Sequence, residues 1–241
     1  IHSKKSYNIG MTQIQQTPVG PIEVIYEDEH VLVINKPAGI SMHKINPQDD
    51  RTTIHDIFKA NLATNDPLRG GIVHRLDKDT SGVVILAKDI SSLEFLQSQF
   101  SDRLVEKSYL GLVWGRLPHP KARIELPIAR SSKSPTAMVI RPGGKISLSE
   151  YELISEYNGF SLVRVRIHTG RTYQIRVQFA HMGHPVVGDK MYGSKPLPEG
   201  LSRQFLHAER LALTLPGQDS RSVFEAPLPN DLKKFLERIN D

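Results

Sequence analysis

Residues 71–88 read GIVHRLDKDTSGVVILAK. Here a polar loop, His74-Arg75-Leu76-Asp77-Lys78-Asp79-Thr80-Ser81-Gly82, runs directly into a branched apolar segment. A loop tied at one end to a buried strand holds reactive groups rigidly, and such loops commonly carry catalytic side chains. Asp77 lies between two cations, Arg75 and Lys78. Nearby positive charge favours the ionised carboxylate, the form a nucleophile needs. Local chemistry fits a plainer arrangement at least as well, in which Asp77 pairs with Arg75 and Asp79 or Thr80 caps a turn.

Two other constellations invite a chemical reading. Asp77 and Asp79 form a candidate carboxylate dyad, but residues i and i+2 of a loop can face apart, and Thr80-Ser81-Gly82 favours a turn role for Asp79. His168, His181 and His184 fall near Asp189, as metal ligands would. The chain has no Cys and no HExxH spacing, so no metal site is expected. The absence of Cys also excludes a disulfide framework, thiolate catalysis and Cys-held iron–sulfur or zinc groups. It fits a reducing compartment, and a cytoplasmic location is the expectation.

The net charge of +5 is a weak signal, but its distribution is informative. Between Ser161 and Gly188 stand Arg164, Arg166, Arg171 and Arg176 with three histidines and no acid. From His119 to Lys145 there are six Lys or Arg against the single acid Glu125. Segments of one sign interleaved with apolar residues read as a phosphate-facing surface. Val83 to Ala87 is the purest apolar run, far short of the roughly 20 residues a membrane helix requires.

The elements that must position these residues form a mixed pattern. Residues 1–20 read as a leader, with Met11 a candidate natural start and Ile1–Gly10 then an added remnant; residues 21–241 read as one domain. Ile22–Glu27 and Val31–Asn35 predict a hairpin around Asp28-Glu29-His30, broken by Lys36-Pro37-Ala38-Gly39. Thr53–Leu62 has a helical face. Gly82–Ala87 predicts a buried strand, followed by a helix over Asp89–Asp102 capped by Asp89, with Leu93, Leu96 and Phe100 inward. Further strands are predicted at Ser108–Trp114, Ala137–Ile140, Tyr151–Glu156, Phe160–His168 and Arg210–Leu215, the last closing the sheet. Thr172 is expected to cap a helix ending at Gly183, and Asp231–Ile239 to form a terminal helix. Strands outnumber helices without regular alternation, which predicts α+β with a large mixed, mainly antiparallel sheet, flanking helices and a basic active-site cleft.

HRLDKDTSG resembles the H-R-L-D-x-x-T-S/T-G signature of the RluA-type RNA pseudouridine synthases. Tyr26–His43 (YEDEHVLVINKPAGISMH) resembles that family's opening hairpin and K-P-x-G turn, and Lys107-Ser108-Tyr109 its K-x-Y strand. His168–Gly193 (HTGRTYQIRVQFAHMGHPVVGDKMYG) resembles its T-G-R-x-x-Q-I-R segment and G-H-P-x-x-G-D-x-x-Y-G tail. FLHAERLALTLP and FEAPLP resemble its closing elements. The similarity runs from about Ile22 to Leu236 in the family's order.

The resemblance implies an isomerase that converts specific uridines in structured RNA to pseudouridine, without metal, nucleotide cofactor or redox centre. Asp77 would be the nucleophile, attacking either C1′ of the ribose or C6 of the base. Tyr109 would stack on the uracil near C5, where a proton must leave. Arg176 would pair with Asp77 and keep it charged. Arg75 would fill the space left by the flipped nucleotide. Arg164, Arg166, Arg171 and the 119–145 basic segment would hold phosphates. The chain departs from the family at Tyr173, where His is usual; the position is read as structural.

Two other classes compete with this reading. One is a family fold that binds or folds RNA without catalysis; the intact Asp77, Tyr109 and Arg176 set argues against it. The other is a metal-dependent phosphate hydrolase, which a chelator would silence. The expected partner is a ribosomal RNA or transfer RNA stem-loop, with no membrane and no DNA; a monomer is the default. Too few residues precede the first hairpin for an S4-type RNA-binding domain.

Overall fold

A computed structural model describes residues 5–6, 13–62, 69–193 and 195–240. Half of the leader expected at 1–20, including Met11, lies outside the described residues. In chain order the elements are β1 (Lys5–Ser6), β2 (Gln13–Gln15), β3 (Ile22–Glu27), β4 (Val31–Lys36), α1 (Ile54–Phe58), β5 (Ser81–Ala87), α2 (Ile90–Ser101) and β6 (Glu106–Trp114). Then follow β7 (Lys121–Arg130), β8 (Met138–Ile140), β9 (Lys145–Tyr157), β10 (Phe160–Ile167), α3 (Gln174–His181), β11 (Leu206–Thr214), β12 (Arg221–Glu225) and α4 (Asn230–Asn240). The class is α+β, mainly antiparallel, with β1 on β12 a parallel pair. The chain forms two compact units: Ile1–Glu106 with Ala208–Pro227, and Lys107–His207 with Leu228–Asp241.

The first unit is built on the strand order β2-β3-β4-β5-β11, with β12 beside β11. The β3–β4 hairpin forms at the expected place because Asp28 closes its turn, its carboxylate accepting from the N–H groups of His30 (2.8 Å) and Val31 (2.7 Å). Every residue of β5 is buried, so its branched composition reflects a strand covered on both faces. Val31, Val33, Val83, Ile85, Leu96, Leu211, Leu213 and Phe224 make the core, with Leu93 and Phe100 packed against it as the helical stripe predicts. Asp89 caps α2 by accepting from the N–H of Ser92 at 2.7 Å.

In the second unit the order is β6-β10-β9-β7-β8. Directly opposed residues share a face, so Tyr109, Val165 and Tyr151 form one row across β6, β10 and β9. The ring of Tyr151 lies 5.6 Å from that of Phe179, which puts α3 on the same face. The alternate row, Leu112 and Leu162, packs on the other face against Phe235 and Leu232 of α4.

α3 is fixed to its sheet by a buried polar network. Gln174 donates to the Leu148 carbonyl (3.1 Å) and the Ser149 hydroxyl (2.9 Å), and Ser149 donates to Gln178 at 2.7 Å. Gln178 donates in turn to the Ser147 carbonyl and hydroxyl at 3.3 and 3.1 Å. Each buried polar atom in the set therefore finds a partner, the condition under which such a network rigidifies rather than weakens a core.

Three expectations need correction. Thr172 does not cap α3: Tyr173 holds the cap position in the left-handed region, at φ 57°, and has no capping side-chain bond. The Gln174 amide oxygen instead closes the loop before the helix, accepting from the Thr169 hydroxyl (2.8 Å) and the Arg171 N–H (3.0 Å). The basic segment after His119 contains the ten-residue strand β7, which accommodates Pro127 opposite Ile146. Finally, β12 lies beyond Arg210–Leu215 and pairs with β11.

Candidate active site

The Asp77 loop is held at several points within the first unit. Ile72 bridges to Leu86, and the Ile85 N–H donates to His74 Nε2 at 3.1 Å. The His74 ring also stacks on Phe100, with 4.7 Å between centroids and 19° between planes. Leu76 is buried, as are Thr80 and Ser81. The Thr80 N–H donates to the Asp77 carbonyl at 3.1 Å, closing a four-residue turn. Asp77 itself is half-buried and Arg75 is exposed.

The opening K-P-x-G turn is part of the same object. Lys36 is fully buried, and its ammonium donates to the carbonyls of Pro37 (2.9 Å), Ile40 (2.9 Å) and Lys78 (3.1 Å). The Gly39 N–H donates to the Lys78 carbonyl at 2.9 Å. Gly82 is required where the loop enters β5: its φ is 122°, and a Cβ there would lie 2.2 Å from the Ala208 carbonyl oxygen. A carboxylate on a loop so fixed, one residue from a buried ammonium's acceptor, is placed with little freedom.

In the second unit Tyr109 sits on β6 opposite Val165, nine-tenths buried, on the sheet face that α3 covers. Lys107 lies two residues away on the same face, and burial pushes its ammonium down to about 8. Arg176, on α3, is 6% exposed. Its Nε and Nη2 donate to the two carboxylate oxygens of Asp189, at 2.7 and 2.9 Å. Its Cζ stands 4.6 Å from the ring centroid of Tyr173 and 5.3 Å from that of Tyr192. Burial works to raise the Asp189 carboxyl, but the Arg176 guanidinium and the N–H groups of Tyr192 and Met191 outweigh it and hold it below the usual range.

The remaining arginines are distributed differently. Arg164 and Arg166 are exposed, on the face opposite Tyr109, and their cross-strand neighbours on β9 are Glu152 and Glu150. On β7 those glutamates oppose Lys121 and Arg123, so the face alternates in sign. Arg171 is half-buried in the turn before α3. Among the described residues no three His, Asp or Glu gather as metal ligands would. His184 Nδ1 lies 2.9 Å from the Trp114 carbonyl, and His168 Nε2 lies 3.2 Å from Glu150.

Sequence reasoning missed Lys36, Asp189 and Tyr192 as parts of the machinery. Signals for all three were present in the K-P-x-G turn and the G-D-x-x-Y-G tail, but spacing alone does not reveal that a lysine turns inward or that an aspartate reaches back 13 residues.

In one unit a braced polar loop presents a carboxylate, and in the other a strand and a helix carry a buried tyrosine and a buried arginine. The chain belongs to the RNA pseudouridylate synthase family, whose model matches residues 30–181. Members of this family are isomerases that convert uridine to pseudouridine in RNA. The chain is 33% identical over 231 residues to the ribosomal large subunit pseudouridine synthase D of Yersinia pestis, covering 91% of this chain and 71% of that protein. It is 37% identical over 231 residues to the enzyme of the same name from Pseudomonas aeruginosa, covering 90% and 72%. The solved structure of human RNA pseudouridylate synthase domain-containing protein 4 shares the fold, with a TM-score of 0.71 at 24% identity, covering 90% of this chain and 92% of that one.

Proposed function

We propose that this family member isomerises uridine in ribosomal RNA, with Asp77 as its nucleophile. The observation that carries the reading is Asp77 at the head of a turn braced by the buried ammonium of Lys36. Such bracing holds a reactive carboxylate to one position, as nucleophilic attack within bonding distance demands. The ribosomal target is supported by the names of the relatives from Yersinia pestis and Pseudomonas aeruginosa.

The reaction needs the N1–C1′ bond broken, the uracil turned while held, and C5 joined to C1′. The C5 hydrogen then leaves as a proton. In this proposal Asp77 attacks C1′ or C6, Tyr109 flanks the base at C5, and Arg176 supplies directed N–H donors to the reacting carboxylate. Arg75, exposed beside Asp77, fills the gap left by the extruded nucleotide, a step costing roughly a few kcal/mol. Arg171 meets phosphate directly. Arg164 and Arg166, facing Glu152 and Glu150, add to the long-range field more than to single contacts.

The reading assigns the chain a monomeric, cytoplasmic role on RNA. Among the described residues no helix is long and apolar enough to cross a membrane. The test is to map pseudouridines in ribosomal and transfer RNA from cells with and without this chain. Loss of one or a few ribosomal positions is the expected result. An unchanged ribosomal map with missing transfer RNA positions would reassign the substrate, and no change in either would remove the activity.

A further inference from the structure

The environment of Arg176 is more constrained than an ion pair requires. The Asp189 fork fixes the guanidinium within its own plane, because both bonded nitrogens, Nε and Nη2, lie on one edge. Rotation out of that plane is opposed by the Tyr173 ring at 4.6 Å and the Tyr192 ring at 5.3 Å, which themselves meet edge to face at 6.0 Å. Asp189 is fixed in turn: its Oδ1 also accepts from the N–H groups of Met191 (2.9 Å) and Tyr192 (3.0 Å). The Tyr192 hydroxyl accepts from the Met138 N–H of β8 at 2.8 Å, which ties the second ring to the sheet edge. Tyr173 reaches its place by adopting φ 57°, an uncommon conformation for a bulky residue.

We infer that Tyr173, Tyr192 and Asp189 are positioning residues that set the plane and heading of the Arg176 guanidinium. This rests on the reading of Arg176 as part of the catalytic machinery. Since Asp189 already balances the arginine's charge, Arg176 acts through directed donors more than through net charge, and a tilted guanidinium would lose most of its effect. What position 173 must supply is then a flat ring. Tyrosine provides one, and phenylalanine or histidine would as well.

The test uses the full chain with total RNA from cells lacking it, carrying tritium at uridine C5, and reads tritium release in a single turnover. Tyr173→Gly removes the ring while suiting the left-handed backbone, and Tyr173→Asn is a second ringless variant that tolerates it. Each is expected to slow turnover about tenfold or more while RNA affinity stays within about twofold. Tyr173→Phe and Tyr173→His should both stay within about threefold of the wild-type rate. In an Arg176→Lys background, which lacks the planar fork, Tyr173→Gly should add less than about twofold. A full tenfold loss in that background as well would overturn the inference while leaving Arg176 in the reaction. A wild-type rate in Tyr173→Gly would overturn it too. A wild-type rate in Arg176→Lys would remove Arg176 itself from the mechanism, and this inference with it.

Discussion

Lys36 donates its ammonium to the carbonyl of Lys78, 42 positions later in the chain, at 3.1 Å. Two motifs far apart in sequence are thereby made one: the K-P-x-G turn is the brace under the turn that begins at Asp77. The ammonium is fully buried and also serves the carbonyls of Pro37 and Ile40.

Replacing Lys36 by Met keeps much of the side-chain volume but deprives the Pro37 and Ile40 carbonyls of this donor, while the Lys78 carbonyl keeps the Gly39 N–H. An unsatisfied buried acceptor costs about 1–3 kcal/mol, so the variant should lose roughly 2 kcal/mol or more in urea unfolding. Its turnover should fall further than its RNA affinity, because the Asp77 turn loses its brace. An unchanged unfolding midpoint would show that the lysine is not holding these carbonyls.

Two glycines separate backbone strain from steric clash. At Gly82 a Cβ would meet the Ala208 carbonyl at 2.2 Å, whereas at Gly143, φ 80°, nothing lies within 4 Å. Gly143→Ala should cost about 1–2 kcal/mol, the left-handed penalty alone. Gly82→Ala should cost at least about 3 kcal/mol, because backbone must also shift. Equal costs in thermal or urea unfolding would contradict the close approach of β5 to Ala208.

Much of this arrangement was legible in the residues, and the failures have physical causes. The hairpin at Asp28, the buried strand over Ser81–Ala87 and the Asp89-capped helix all follow from local signals that agree with their burial. β7 was not read as a strand because its run KARIELPIAR carries a proline and few branched residues; its pairing with β9 overrides that weak local preference. The cap of α3 was misplaced because a glutamine three positions after Arg171, rather than a threonine, turns back to satisfy the loop. The Arg176–Asp189 fork is tertiary, and no periodicity encodes it.

Lys107 gives a pH prediction. Burial lowers its folded-state value to about 8 from the ordinary 10.5, so between those values the unfolded chain binds the extra proton. Its contribution to stability therefore rises with pH across that window. Near pH 7 the charged, buried ammonium is a cost of up to roughly 3 kcal/mol. The stability of Lys107→Met relative to wild type should be highest near pH 7 and fall as pH approaches 10. A relative stability that is flat or that grows with pH across that window would contradict burial as the dominant influence on this lysine.

RNA binding should weaken steeply with salt, since phosphate contacts release counterions. A fall of at least about tenfold between 50 and 200 mM monovalent salt is expected from a few such contacts. Arg171→Ala should lower affinity and reduce the logarithmic salt slope by about one contact's worth, while Arg164→Ala should change it less. A flat response measured by filter binding would speak against an RNA partner.

The nucleophilic role of Asp77 is tested most directly by Asp77→Asn, which keeps the side chain's shape and removes its charge. Pseudouridine formed per chain would be counted by mass spectrometry after carbodiimide labelling, which gives this uridine isomer a mass shift, and nuclease digestion of RNA from cells lacking the wild-type protein. The account predicts no product above background, with RNA affinity within about threefold of wild type. Turnover at or near the wild-type rate would contradict it.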